Sequence, residues 1–303
     1  MSVLSVVIPT YNRCQTLRKV ISAYFDHATC QRFSEIIVVD DGSTDSTGSV
    51  VAELANHSTL PIRYFRQENK GPAAARNLGV REARGEIVLF TDDDILPTSS
   101  LVSEHLDWHR RFPDPSTAVL GNVMWAEDVR PTPFMHWYGS DSMFLYSRFV
   151  PGAKLDYTDF YTCNLSLKTA FLRRCGMFDE EFKIAAFEDI ELGYRLKKAG
   201  MQLLYNPNAL AYHQQFLSFD DACRRARKAE LSAEIFKRKE AGVYFCSQMD
   251  PEFIAQTALL SPARQRGNLK KLSAWLLSPL KRLMDWRVPL PWSVYRMMLR
   301  IYR

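Results

Sequence analysis

Four apolar residues at positions 87–90 run, past a single threonine, into three consecutive carboxylates, Asp92, Asp93 and Asp94. A run that short and wholly apolar fits a strand buried on both faces of a sheet. Few folds place three mutually repelling acids at the end of such a strand without a cation to share. Hard divalent cations take oxygen ligands, commonly one or two carboxylates together with substrate phosphates. Residues 85–97 therefore predict a cation and diphosphate site at the carboxyl end of a central strand. For the triplet taken alone, an acidic surface turn capping the next helix is the alternative.

The preceding segments supply the rest of such a sheet. Residues 5–8, 35–39 and 62–65 read as buried strands, and residues 15–25, 46–54 and 73–83 carry helical spacing. The last of these helices is entered through Gly71-Pro72, where the missing proline N–H is harmless. Strands alternating with helices of about ten residues predict a mostly parallel sheet with helices on both faces. Ligands in such sheets bind beyond the carboxyl ends of the strands. That brings Pro9–Asn12, Asp40–Ser43 and Asp92–Asp94 to one rim.

Two phosphate-binding chemistries are excluded. The first strand is followed by PTYNRCQ, which has no glycine and so no dinucleotide fingerprint, and no P-loop motif is present. An aspartyl-phosphate hydrolase fits poorly, because Asp40 and Asp41 are adjacent rather than alternating. The six cysteines are scattered without C-x-x-C spacing, which predicts a reduced, cytoplasmic chain. The N-terminus has no signal-peptide pattern and no apolar run approaches the ~20 residues that span a bilayer.

Four stretches, SVVIPTYNR, EIIVVDDGSTDST, NKGPAAARNLGVREARGEIVLFTDDD and FEDIELGYRLKKAG, occur in this order and resemble family 2 glycosyltransferases of the GT-A fold. The resemblance covers roughly residues 3–215. It implies an α/β, Rossmann-like catalytic domain over 1–215, with a nucleotide-binding half to about residue 100 and an acceptor half over 101–215. Residues 216–303 form a helical, basic extension outside it. The implied reaction is inverting transfer of a sugar from a nucleotide-diphosphate donor, UDP by preference, to an acceptor hydroxyl, with Mn²⁺ or Mg²⁺ as cofactor. Cell-surface glycan or polysaccharide synthesis is the implied setting. The alternative is a non-catalytic module that binds a sugar nucleotide or glycan on the same scaffold.

The resemblance also distributes roles. Pro9, Tyr11 and Asp41 match positions that hold the nucleotide base; core packing is the alternative for Tyr11 and an Asx turn for Asp41. Arg76 matches a nucleotide or phosphate contact, against a surface ion pair of little worth. The Asp-x-Asp spacing maps onto Asp92 and Asp94, with Asp94 as direct cation ligand, Asp92 as ribose or cation partner and Asp93 as a further acid on the donor side. His213, placed after a strand at 202–204, corresponds to a third cation or diphosphate contact in some relatives, with a structural histidine as the alternative. Asp189 matches the catalytic base and Glu188 its orienting partner. Acids are also favoured at helix N-termini for purely structural reasons, and the same dipole predicts that Asp189 stays ionised. Asn164 is a candidate contact to the donor sugar or diphosphate. The nine aromatics between Phe134 and Tyr161 read either as an acceptor loop or as the cover of a lid.

The tail has a different character. Residues 264–303 carry ten Lys/Arg against one acid, Asp285, although the whole chain is only +5. Leu269, Leu272, Leu276, Leu280 and Leu283 form an apolar stripe flanked by Trp275 and Trp286, interrupted at Pro279. This pattern makes the segment a candidate for peripheral attachment to the inner face of the cell membrane, where a lipid-linked acceptor would lie. Packing on the catalytic domain or dimerisation is the alternative. Residues 216–240 predict a helix with Ala222, Ala226 and Ala229 inward and a solvated RRARK face. No nucleic-acid module accompanies the positive charge.

Overall fold

The computed structural model describes residues 4–26, 35–139, 143, 145–242, 284 and 290–302. It forms two compact units, one of residues 1–125 and 148–214, the other of 126–147 and 215–303.

The first unit is built on strands β1 (Leu4–Thr10), β2 (Glu35–Asp40), β3 (Ile62–Arg66), β4 (Ile87–Thr91), β5 (Ile95–Pro97), β6 (Thr117–Trp125), β7 (Lys154–Leu155), β8 (Asn164–Lys168) and β9 (Gln202–His213). They make one sheet in the order β3-β2-β1-β4-β8-β6-β9-β5, with β7 paired to β9. β1, β2, β3 and β4 pair in parallel, and so do β6 and β9. β8 lies antiparallel between β4 and β6. The apolar runs read as strands are these parallel ones, and every residue of β2 and β4 is buried. The strand order reverses at β1, between β2 and β4, so the crevice that opens beyond the carboxyl ends of β1 and β4 is where a doubly wound sheet binds its ligand.

Helices α1 (Cys14–Asp26), α2 (Thr47–His57), α3 (Pro72–Glu82), α4 (Leu101–Arg111), α6 (Thr169–Arg174) and α7 (Glu188–Lys198) flank the sheet. α3 lies tightly against β1: a Cβ at Gly79 would stand 2.4 Å from Val7 Cγ1. That close approach sets the depth at which α3 delivers its side chains to the rim. The buried Glu35 of β2 is paired where it stands, accepting from Ser5 Oγ (2.7 Å), the Arg84 amide (2.8 Å) and Arg63 Nη1 (3.1 Å).

A polar chain runs through the apolar interior between α4 and β8. His105 Nε2 meets Asn164 Oδ1 (2.9 Å), its Nδ1 meets Ser166 Oγ (2.8 Å), and Ser166 Oγ meets His109 Nε2 (2.9 Å). Asn164 also donates to the carbonyls of Asn122 (3.0 Å) and Ala209 (2.8 Å). These bonds correct the assignment of Asn164 to the donor: its amide is committed to the sheet interior and tethers β8 to β6 and β9.

The second unit contains α5 (Pro133–Tyr138), α8 (Phe219–Arg238) and α9 (Trp292–Tyr302). Ser218 and Asp221 close a capping box at the start of α8. Phe134 meets Phe219 edge-on at 5.5 Å, and Trp137 stacks on Tyr295 at 5.5 Å. Phe134 and Trp137 are therefore core residues of this unit. Tyr157 and Phe160 are likewise buried, within the first unit. These four belong to cores rather than to an acceptor loop. On α8, Ala222 is buried, Ala226 and Ala229 are half-buried, and Arg224, Arg225, Arg227 and Lys228 face solvent. The leucine stripe 269–283, with Trp275 and Trp286, lies outside the described residues. Among the described residues, no helix is long and apolar enough to cross a membrane.

Burial pushes His105 down to about 4, and burial with the nearby Lys168 charge pushes His109 down to about 3. Both pKa values lie below the ordinary value, so the unfolded chain takes up protons first. The stability held by the two neutral rings is complete above pH ~6.5 and is lost as pH falls towards 4. Each ring forfeits about 1.4 kcal/mol per pH unit in that window. Between pH 6.5 and 5, urea unfolding of the His109→Gln variant should show a pH slope smaller by about one proton than the parent. An unchanged slope would mean that His109 is already protonated in the fold.

Candidate active site

The rim of the first unit is assembled from loops that pin one another. After β1, Asn12 adopts φ 53°, a left-handed conformation that asparagine tolerates. Its Oδ1 accepts from the Thr44 amide (2.7 Å), while its own amide donates to Ser43 Oγ (2.8 Å). After β2, Asp40 accepts from the Ser43 amide (2.7 Å) and Tyr64 Oη (2.5 Å). Asp41 is buried and receives Gln67 Nε2 (2.7 Å) and the amides of Lys70 and Gly71 (2.8 Å each). Its first task is thus to fold the 67–71 turn that leads into α3. Tyr11, by contrast, is 47% exposed at the same rim, with Pro9 half-buried beside it in sequence, so Tyr11 is no core residue and offers its ring outward.

The three acids after β4 point to different partners. Asp92, half-buried, accepts from Arg76 Nη2 (2.9 Å). Asp93 is buried and accepts from Thr10 Oγ1 (2.7 Å) and Arg13 Nη1 (3.3 Å). Burial, reinforced by the Asp94 charge and opposed by Arg13 and Thr10, pushes Asp93 up to about 7. Asp94 Oδ2 meets Arg13 Nη1 at 2.5 Å and lies 3.9 Å from His213 Nε2. β9 continues past Leu204 to His213, which pairs across to Ile95, and Trp125 meets the His213 ring edge-on at 5.0 Å. His213 therefore ends a strand rather than following one at a distance, and β5 brings it beside Asp94.

Asp189 and Glu188 open α7, and the residue before them, Phe187, has φ 67°. A bulky aromatic in the left-handed region is strained, and such strain persists only where the surroundings impose it. Here the 178–188 segment is held to α3: Asn77 exchanges bonds of 2.9 Å with the amide and carbonyl of Phe178, and Gly71 lies against Lys183 so closely that a Cβ would come within 2.6 Å of its carbonyl oxygen. α3 also supplies Arg76, 4% exposed, whose Nη1 donates to Glu188 Oε1 (3.0 Å) while Nη2 holds Asp92. The expected alternative of a surface ion pair is overturned: Arg76 is buried and joins the two acidic motifs. Glu188 Oε2 is buried with no partner among the described residues.

The electrostatics of α7 depart from the expectation of a fully ionised Asp189. Burial, then the Glu188 charge, push Asp189 up to about 7, against the opposing pull of Arg76. Burial also raises Glu188, again opposed by Arg76. Desolvation here outweighs the helix dipole. The result is a carboxylate poised near neutral pH, where a general base is most effective.

The donor set suits a hard cation only in part. Among the described residues no three His, Cys, Asp or Glu side chains stand together as a metal cluster. Asp94 and His213, with one cationic guanidinium already on Asp94, fit a site in which diphosphate oxygens and water complete the coordination. Arg13, Thr10 and Trp125 were not singled out from the sequence; the PTYNR turn held the first two, but their partners lie some eighty residues downstream.

A family model described as Glycosyl transferase family 2 matches residues 5–180. Validoxylamine A glucosyltransferase of Streptomyces hygroscopicus subsp. jinggangensis is 34% identical over 224 residues, covering 66% of this chain and 52% of that protein. Chondroitin synthase of Escherichia coli is 28% identical over 274 residues, covering 78% and 38% respectively. The chain thus spans about half or less of these curated relatives. Among solved structures, the mannosyltransferase PcManGT from Pyrobaculum calidifontis, in complex with GDP-Man and Mn²⁺, superposes with TM-score 0.61 at 20% identity, covering 99% of this chain and 84% of that one.

Replacing Arg76 leaves Glu188 buried without its counter-charge. Arg76→Met should lower stability by about 3 kcal/mol at pH 8, the usual consequence of breaking a buried pair. The loss should be smaller at pH 5.5 than at pH 8, because burial favours the protonated form of Glu188. Urea titrations at the two pH values check both statements.

Proposed function

The chain belongs to glycosyl transferase family 2, and on that premise we propose that it transfers a sugar from a nucleoside-diphosphate donor to an acceptor hydroxyl, with inversion, in assembly of a cell-surface glycan or polysaccharide. UDP is the first donor nucleotide to test and GDP the second. The observation that carries this reading is Arg76: one buried guanidinium links Asp92 on the diphosphate side to Glu188 beside the base. A module that only bound sugar nucleotides would have no use for a carboxylate held near pH 7.

In this mechanism Tyr11 and Pro9 receive the base of the nucleotide, and Asp41 shapes the turn beneath it. Asp94 and His213, with Asp92 close by, would hold Mn²⁺ or Mg²⁺, which supplies Lewis-acid neutralisation of the departing diphosphate. Asp189 accepts the proton of the acceptor hydroxyl as that oxygen bonds to the anomeric carbon and the bond to the diphosphate oxygen breaks on the opposite face. Glu188 Oε2, buried and unpartnered among the described residues, would accept a sugar hydroxyl, while Oε1 stays anchored to Arg76. Arg76 keeps Asp189 lower than burial alone would leave it.

Asp189→Asn should lower kcat by about 10²–10⁴ while the thermal shift given by a nucleotide sugar with Mn²⁺ is retained. In the parent, kcat/KM should rise with pH through about 7 as Asp189 loses its proton, then level off. Release of nucleoside diphosphate should stop in EDTA. Near-full transfer by Asp189→Asn would place the base elsewhere, and indifference to EDTA would remove the cation.

We further infer that the second unit meets an anionic membrane surface, where a lipid-linked acceptor would lie. Exposed Arg224, Arg225, Arg227 and Lys228 on α8, and Arg296 beside the exposed Met297 on α9, support this, together with the ten basic residues of 264–303. The full chain should co-sediment with phosphatidylserine vesicles and not with phosphatidylcholine vesicles, and high salt should release it. Equal binding to both, or to neither, removes the reading.

A further inference from the structure

Arg13 stands where the cation chemistry of this site is expected to happen. Its Nη1 lies 2.5 Å from Asp94 Oδ2 and 3.3 Å from Asp93 Oδ1. That same Asp94 Oδ2 lies 3.9 Å from His213 Nε2. The two acids are almost fully buried, whereas the arginine side chain is one-third exposed at the mouth of the crevice. Two buried neighbouring carboxylates need counter-charge, and the Arg13 guanidinium supplies one directly on Asp94. A dication on Asp94 Oδ2 would sit within contact distance of this fixed positive charge, and the two repel. A nucleoside diphosphate changes the balance, because its oxygens offer the guanidinium charge-assisted bonds in place of those to Asp93 and Asp94.

We propose that Arg13 is a built-in counter-ion that holds the cation place on Asp94 and yields it when a nucleoside diphosphate arrives, so that nucleotide and cation bind as a coupled pair. The proposal rests on the reading of Asp94 and His213 as cation ligands. Without nucleotide, Mn²⁺ has to compete with the guanidinium charge for Asp94. With nucleotide, the guanidinium would move onto the diphosphate, leaving Asp94 and His213 to hold the cation. By linkage each partner raises the affinity of the other by the same factor. The anchoring of Arg13 explains why its residue type matters. Its main chain opens α1, with the Leu17 amide bonded to the Arg13 carbonyl at 2.9 Å, so the base of the side chain is fixed and only its head has to move. Arg13 is thus a positioning residue that sets binding order rather than a group that touches the transferred sugar.

The test is direct titration of Mn²⁺ binding, followed by electron paramagnetic resonance of the free ion, on the full chain with no nucleotide and then with saturating UDP, repeated with GDP so that base preference does not mask the result. The same titrations are run on Arg13→Gln and Arg13→Met, one polar and one apolar, so that the outcome does not hang on one variant folding, and on Arg13→Lys. For the parent, Mn²⁺ alone should bind weakly and nucleotide should strengthen it at least tenfold beyond the binding of Mn²⁺ by the nucleotide itself. In Arg13→Gln or Arg13→Met, Mn²⁺ alone should bind about tenfold tighter than in the parent, and the gain from nucleotide should shrink. Arg13→Lys, which keeps the charge, should remain closer to the parent. If the charge-removing variants bind Mn²⁺ alone no more tightly than the parent, the counter-ion role is overturned although the cation site stands. If Asp94→Asn binds Mn²⁺ with nucleotide as well as the parent does, or the parent binds none under any condition, the cation reading itself falls and takes this proposal with it.

Discussion

The structure of the candidate active-site rim depends on one buried guanidinium. Arg76 comes from α3, whose depth against β1 is fixed by the absence of a side chain at Gly79, and it holds Asp92 and Glu188 at 2.9 and 3.0 Å. Asp92 follows a strand and Glu188 opens a helix ninety-six residues later, so the ion pairs fix two elements that the chain itself does not tie together. The guanidinium also rests over the Phe178 ring at 5.8 Å, and that ring meets Phe90 edge-on. Desolvating three charges is costly, and such a cluster is weak evidence for stability. Its value here is specificity of geometry: with Asn77 beside it, Arg76 fixes where the strained turn at Phe187 presents Asp189.

Much of the fold was legible because buried parallel strands announce themselves as continuous apolar runs. β1, β2, β3 and β4, with the helices between them, fall within two or three residues of where their apolar periodicity places them. β8 was not legible, and the reason is physical. Its sequence, NLSLK, buries Asn164 and Ser166, which only make sense beside His105 and His109 some sixty residues earlier. A local reading sees two polar residues and calls a loop or a ligand contact; the sheet sees a satisfied polar chain. β5 is three residues long and ends in proline, below any periodicity threshold. The extent of β9 was hidden by Pro207, which a strand read from propensity would not cross.

The candidate site was legible in its motifs and opaque in its couplings. Asp92, Asp94, Glu188, Asp189 and His213 came from motif positions, and the structure brings them to one face of one unit. Which acid speaks to which base could not be read along the chain, because every decisive pair is long-range: Arg13 with Asp94, Arg76 with Glu188, Thr10 with Asp93. The ionisation of Asp189 failed for a related reason. A helix N-terminus is a local feature and argues for a charged carboxylate, whereas burial and the neighbouring Glu188 are tertiary features and argue against it. The tertiary terms are larger.

That imbalance has a consequence for how the rim is built. A carboxylate able to take a proton near pH 7 has to be desolvated, and burial is the largest cause of the raised pKa of Asp189. Left to burial alone, two adjacent acids would both stay protonated and neither would serve as a base. Arg76 counters this on Glu188 and Asp189, and Arg13 with Thr10 counters it on Asp93. The two halves of the rim therefore follow one design, neighbouring acids with an arginine bonded to them. The arginines differ in freedom. Arg76 is enclosed and serves as a fixed element of the architecture, while Arg13 keeps one-third of its side chain in solvent. In the proposed mechanism the base has to remain in register through every turnover, and the proposed cation place has to fill and empty with each diphosphate that enters and leaves. The enclosed arginine suits the first requirement and the half-exposed one the second.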